Sequence, residues 1–134
     1  MNQSDRQLWL IRALLEQMPE YGDVEIPLRP DRQWRLLRGL MNVRPPVPAD
    51  AAFLEVQDAF LQEMTREKGV VDGGSLPPCR RDARLRLWQG DITTLRCGAI
   101  VNAANSQLLG CFSPCHGCID NAILYSITKV LKCA

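Results

Sequence analysis

Cys111, Cys115, His116 and Cys118 lie within eight residues and include the only histidine of the chain. Thiolate and imidazole are preferred zinc ligands. Zinc takes four protein partners at a closed structural site, or three with one open position at a catalytic site. Spacing alone does not select three ligands from these four. The His116-x-Cys118 pair is compact, and Pro114 and Gly117 supply the irregular backbone that it needs. A closed four-ligand knuckle ordinarily spreads two ligand pairs across a longer loop, so this one would be cramped. A loop without metal is the third option. The order Cys-His-Gly-Cys puts the histidine inside the cysteine pair, which excludes the c-type haem motif. Cys79, Cys97 and Cys133 stand alone and read as incidental thiols.

Asp120 and Asn121 follow the candidate ligands directly. An acid beside a metal can orient a hydroxyl or act as a base. The same acid could instead cap a helix that starts there. Asn102 and Asn105 flank two alanines. Small residues let a ligand approach the backbone, and amides can grip sugar hydroxyls, although turns use the same residues.

These side chains need elements to hold them. Residues 4–18 read as a helix with a Ser4–Gln7 capping box and Leu8, Ile11, Leu15 and Met18 on one face. A second helix is expected over 31–42, with Asp31 as N-cap and Trp34, Leu37, Leu40 and Met41 on its buried side. Pro45, Pro46 and Pro48 enforce an extended linker. Asp50 then caps a third helix over 51–68, with Phe53, Val56, Phe60 and Met64 as its stripe and Gly69 as its stop. These stripes read as helix packing, and nothing in 1–70 has catalytic spacing. Gly73, Gly74, Pro77 and Pro78 mark a loop. Residues 84–89, RLRLWQ, alternate with period two and predict a strand. Residues 90–95 read as a turn opening a short helical segment. The apolar run 99–101 predicts a strand buried on both faces. Strand, helical turn, strand is the opening of an α/β unit, and ligands gather where its second strand ends. A last helix is expected over 119–132. Two strands and one helix leave sheet edges unpaired, so the reading is an α/β part cut short.

The 134 residues fit one ordinary domain, and the net charge of +1 gives no bulk pull toward nucleic acid or an anionic membrane. No apolar run reaches the ~18 residues of a membrane span. Asp5, Arg6, Glu16 and Glu20 break up the first twenty residues, which argues against a secretory leader. Six cysteines without a leader predict a reducing cytoplasm.

Gly90-Asp91-Ile92-Thr93, then Ala99-Ile100-Val101-Asn102-Ala103-Ala104-Asn105-Ser106, then Leu108-Leu109-Gly110 resemble the opening of a macrodomain, the ADP-ribose-binding fold. The continuation, GCFSPCHGCIDNAI, resembles the zinc-dependent microbial branch of that family, protein-ADP-ribose hydrolases with a helical N-terminal extension. The resemblance implies an α/β chain: a helical extension over 1–72, then the first part of a three-layer α/β/α macrodomain over 73–134. By position it implies that Asp91 takes the adenine amino group beside the Ile92 backbone, and that Asn105 binds the distal ribose. It implies Zn2+ on Cys111, His116 and Cys118, with Cys115 left out, and Asn105 and Asp120 as the catalytic pair. Asp120 would orient ribose or water, and Asn102 would support it. The implied partners are ADP-ribose or ADP-ribosylated protein, and the implied reaction is zinc-dependent release of ADP-ribose from protein side chains.

The match runs over about 84–123. Beyond it, Leu124 stands where the family has a histidine, and the later strands and second glycine-rich loop are missing. A frameshift and early stop are the expectation, with turnover impaired. Two alternatives remain open at this level: an ADP-ribose-binding module with a structural zinc, and a small helical bundle with a frayed tail.

Overall fold

The computed structural model describes residues 1–108 and 110–126. Helix α1 spans Gln3–Gln17 and is capped by Asn2, two residues before the expected Ser4. Asn2 Oδ1 accepts from the Asp5 N–H at 2.8 Å, and the Asp5 carboxylate accepts from the Asn2 N–H at 3.4 Å. The earlier box wins because its third helical residue is an anion, which the positive helix N-terminus favours over the neutral Gln7.

Helix α2 spans Pro30–Val43, with Arg29 rather than Asp31 at its cap. Pro30 has no N–H to leave unsatisfied and a φ already set for helix, so it starts the first turn. Asp31 falls inside that turn and pairs with Arg29 at 3.0 Å. Helix α3 spans Ala51–Lys68 as the sequence predicts. Asp50 Oδ1 accepts from the Phe53 N–H at 2.6 Å, and Gly69 ends the helix at a φ of 86° that L side chains avoid.

Helix α1 packs on both α2 and α3. Leu10, Ile11, Leu14, Met18, Leu37, Leu40, Phe53, Phe60 and Leu61 form the common core. Each such side chain contributes roughly 1.5–3 kcal/mol by leaving water. Tilted aromatic pairs, Trp9–Phe53 at 6.3 Å and Trp34–Phe60 at 5.8 Å, join the three helices. On α1 the buried face is turned slightly from expectation, because Leu10 and Leu14 are buried while Leu8 and Leu15 are half-buried.

The sheet is small. Strand β1, Val71–Asp72, pairs in parallel with β2, Leu95–Arg96. Neither strand expected from sequence forms. Residues 84–89 make only an isolated antiparallel bridge, Pro78 to Arg86, and Leu87 is 85% exposed. The run 99–101 has no strand geometry, and Val101 is 91% exposed. A strand needs a neighbour to take up its N–H and C=O groups, and among the described residues that single bridge to Pro78, with the Cys79 N–H donating to the Leu85 carbonyl at 2.8 Å, is the pairing that 84–89 makes. The pairing falls instead on 71–72, to which the sequence reading assigned no element, and on 95–96. The chain is therefore helix-rich with a small parallel sheet.

Asp91 caps the expected turn, a 3-10 helix over Ile92–Thr94. Helix α4 covers Ile119–Ser126, and the rest of the predicted 119–132 helix lies outside the described residues. Helix α4 packs on α2 and on the Ile92–Thr94 turn, which also touches α3. Among the described residues, no helix is long and apolar enough to cross a membrane.

Candidate metal centre and adjoining cleft

The loop from Gly110 to Cys118 has no regular structure, so each ligand is placed by turns and anchors. Ser113 C=O accepts from the His116 N–H at 3.1 Å, with Pro114 second in the turn and Cys115 third at a φ of 56°. Proline second and a left-handed residue third is the pattern of a type II turn. A cysteine there carries about 1–2 kcal/mol of strain. Helix α2 holds that strain in place. The Cys115 N–H donates to Asn42 Oδ1 at 3.1 Å, and its thiol points at the Arg35 carbonyl at 3.4 Å. Cys115 thus faces α2, away from the other three ligand candidates.

Cys111, His116 and Cys118 converge, with their ligand atoms all within 4.8 Å of one another. Cys111 Sγ and His116 Nδ1 lie 3.5 Å apart. A hydrogen bond from the Ser113 backbone holds the Cys111 thiol below its ordinary pKa, with help from Cys118, Asn121 and the Ser113 side chain and against desolvation. Donors aimed at sulfur favour the thiolate, the form that ligates metal. This cluster could hold a metal ion.

Cys118 also caps α4, its sulfur accepting the Asn121 N–H at 3.4 Å. That leaves Asp120 inside the first turn of α4 rather than at its cap. Asp120 is 5% exposed and accepts from Asn102 Nδ2 at 2.7 Å. Asn105 folds onto its own loop, donating to the Gly110 carbonyl at 2.8 Å and accepting from the Gln107 N–H at 3.0 Å. Asn105, Cys111, His116, Cys118 and Asp120 line one open cleft of about 420 Å3, with Ala103, Ala104 and Phe112. That volume lies within the usual range for small-molecule sites, ~300–1,000 Å3.

Asp91 and Ile92 do not line this cleft. Asp91 Oδ1 accepts from the Thr93 N–H at 3.0 Å and its hydroxyl at 2.7 Å, while Oδ2 meets Lys68 Nζ at 3.0 Å. The Thr93 side chain, then Lys68, hold this carboxyl below the usual carboxylate range despite partial desolvation.

Sequence reasoning missed the contribution of α2. Arg38 donates through Nε and a terminal nitrogen to Asn121 Oδ1, at 3.3 and 3.0 Å, and to the His116 carbonyl at 3.1 Å. Gly39 leaves room for the loop, since a Cβ there would sit 3.8 Å from Pro114 and 4.0 Å from the Cys115 sulfur. In the sequence, Arg38 and Asn42 look like an ordinary solvated helix face.

No protein-family model matches the chain. It is 49% identical over 125 residues, 92% of its length, to a protein-ADP-ribose hydrolase of Treponema medium. It is 44% identical over 86% of its length to a protein of the same name from Staphylococcus aureus strain MRSA252. These alignments cover 48% and 42% of those two proteins, so the chain spans about half the length of the curated relatives it matches. At this identity over most of its own residues, the chain is homologous to part of these microbial protein-ADP-ribose hydrolases.

Proposed function

We propose that the chain carries the zinc-holding part of a protein-ADP-ribose hydrolase site on a macrodomain scaffold, with ADP-ribosylated protein as substrate. One observation carries the reading: the cysteine–histidine–cysteine cluster shares a cleft with Asn105 and Asp120. The donor set suits zinc. Zn–S near ~2.3 Å and Zn–N near ~2.0–2.1 Å give tetrahedral edges of roughly 3.5–3.8 Å. The Cys111–His116 separation of 3.5 Å meets that edge, and the 4.8 Å outer limit calls for modest tightening. When bound, zinc would polarise a ribose hydroxyl or the scissile carbon–oxygen bond as a Lewis acid.

Cys111, His116 and Cys118 would hold the ion, with Cys115 outside the set. The Asn105 amide would exchange its bond to the Gly110 carbonyl for a hydroxyl of the distal ribose. Asp120, buried and oriented by Asn102, would align ribose or water for attack at the anomeric carbon. Asp91, its carboxylate oriented by Thr93, would take the adenine amino group beside the Ile92 backbone. The partner is ADP-ribose on protein rather than nucleic acid or membrane, in keeping with a net charge of +1. A reducing cytoplasm would keep the ligand thiols free.

A second reading has one observation in its favour. Cys118 also caps α4, so an ion there would do structural work for an ADP-ribose-binding module without turnover. The test is calorimetric titration of the zinc-loaded chain with ADP-ribose, followed by release of ADP-ribose from a modified protein. Saturable binding weakened by Asp91→Ala, with release lost in Asp120→Ala, is expected. Binding without release would favour the second reading, and no binding at millimolar ligand would overturn both.

A further inference from the structure

We infer that Arg38 of α2 is a positioning residue for the metal centre, acting through the side-chain amide of Asn121. This rests on the metal-centre reading given above and adds to it a determinant of ion affinity that lies outside the ligand loop.

Asn121 is fully buried, and its amide has two unlike ends. Two guanidinium N–H groups of Arg38 converge on Oδ1 at 3.3 and 3.0 Å. An oxygen that accepts from a cation cannot exchange places with the NH2 group without setting donor against donor. Arg38 therefore fixes which way the amide faces. The NH2 end is left directed at the loop, where Nδ2 donates to the Ser113 carbonyl at 3.4 Å. The Asn121 backbone N–H donates to the Cys118 sulfur at 3.4 Å, so fixing this residue bears on a first ligand. Arg38 also donates to the His116 carbonyl at 3.1 Å, so it restrains a second ligand through its backbone. One side chain, 78 and 83 residues away from its partners, bears on two of the three ligands. Groups that orient metal ligands in this way typically change affinity ~10–100-fold when removed.

The experiment measures zinc affinity of the full chain by chelator competition, together with the ligand-field spectrum of the cobalt(II) form. The variants are Arg38→Met, which keeps the aliphatic stem, and Arg38→Lys, which restores one charged donor without the fork. Arg32→Ala, on an exposed position of the same helix without a contact to the loop among the described residues, is the control. Arg38→Met is expected to weaken zinc ~10–100-fold and alter the cobalt spectrum, with Arg38→Lys intermediate and Arg32→Ala unchanged. Helical melting of the metal-free variants is expected to match the parent. Parent-like affinity and spectrum in Arg38→Met would overturn the inference and leave the metal centre standing. Failure of the parent chain to bind zinc or cobalt would overturn both.

Discussion

Replacing Cys118 by serine separates the capping that its sulfur performs from the ligand role proposed for it. As the N-cap of α4, the sulfur accepts the Asn121 N–H at 3.4 Å. A serine oxygen is among the best N-cap acceptors, so the metal-free variant should be as stable as the parent to within ~1 kcal/mol. As a ligand, serine is poor, because its hydroxyl stays protonated near neutral pH. Structural zinc sites are worth about 10–16 kcal/mol over four ligands, or roughly 3 kcal/mol each, so the variant should bind about 100-fold more weakly. At free zinc 100 times the parent dissociation constant, the parent gains about 2.7 kcal/mol and the variant only about 0.4 kcal/mol. For a chain of this size that is a rise in melting temperature of roughly 8–13 °C against roughly 1–2 °C. Differential scanning fluorimetry with and without zinc reads both numbers. A full zinc-induced rise in the serine variant would remove Cys118 from the ligand set. A metal-free variant that melts well below the parent would refute the capping argument.

Other expectations follow from the same geometry. Gly39→Ala should raise stability by about 0.5–1 kcal/mol through helix propensity, because its Cβ meets Pro114 only at ordinary contact distance; Gly39→Leu should displace the loop and weaken zinc, both read by melting and chelator competition. Asp50→Ala should lower the helical melting free energy by ~1 kcal/mol through loss of the cap on Phe53, without changing zinc affinity. The Asp91 carboxyl should titrate by NMR below the ~3.9 of an unfolded aspartate. Because its folded pKa is depressed, it contributes stability above about pH 4 that is lost as pH falls through the folded pKa. Thr93→Val should move that midpoint upward, and a parent midpoint at or above the ordinary value would contradict the bonding described.

The three helices were legible because a helix announces itself locally. Capping residues, 3.6-residue stripes and a stop glycine all act within a few residues, and the α3 limits match the sequence reading. Even the misplaced starts of α1 and α2 are competitions between neighbouring caps. Strands were not legible in the same way. The alternation in 84–89 is real, but a strand also needs a distant partner, and the pattern carries no record of whether one is alongside. The metal cluster was legible as a concentration of thiols and imidazole, whereas the choice of three ligands came from family resemblance. The role of α2 was hidden because Arg38 meets Asn121 across 83 residues, and an exposed-looking arginine gives no sign of what folds onto it.

What orders the ligand loop is a question of magnitudes. Fixing backbone costs about 1–2 kcal/mol per residue, so the nine residues from Gly110 to Cys118 cost on the order of 10 kcal/mol. From α2 the loop and its neighbour Asn121 receive the Arg38, Asn42 and Arg35 contacts, each hydrogen bond worth about 0.5–1.5 kcal/mol, or up to ~3 when charged. Those bonds do not offset the ordering cost unaided, and the small β1–β2 sheet has only two residue pairs of its own. The remainder must come from packing on α2 and α4, to which a bound ion would add. The helical bundle therefore acts as the template for the metal loop: it fixes Cys115 and Asn121, and an ion drawing Cys111, His116 and Cys118 together would complete the closure. Cutting α2 away should cost the site its geometry even though α2 supplies no ligand.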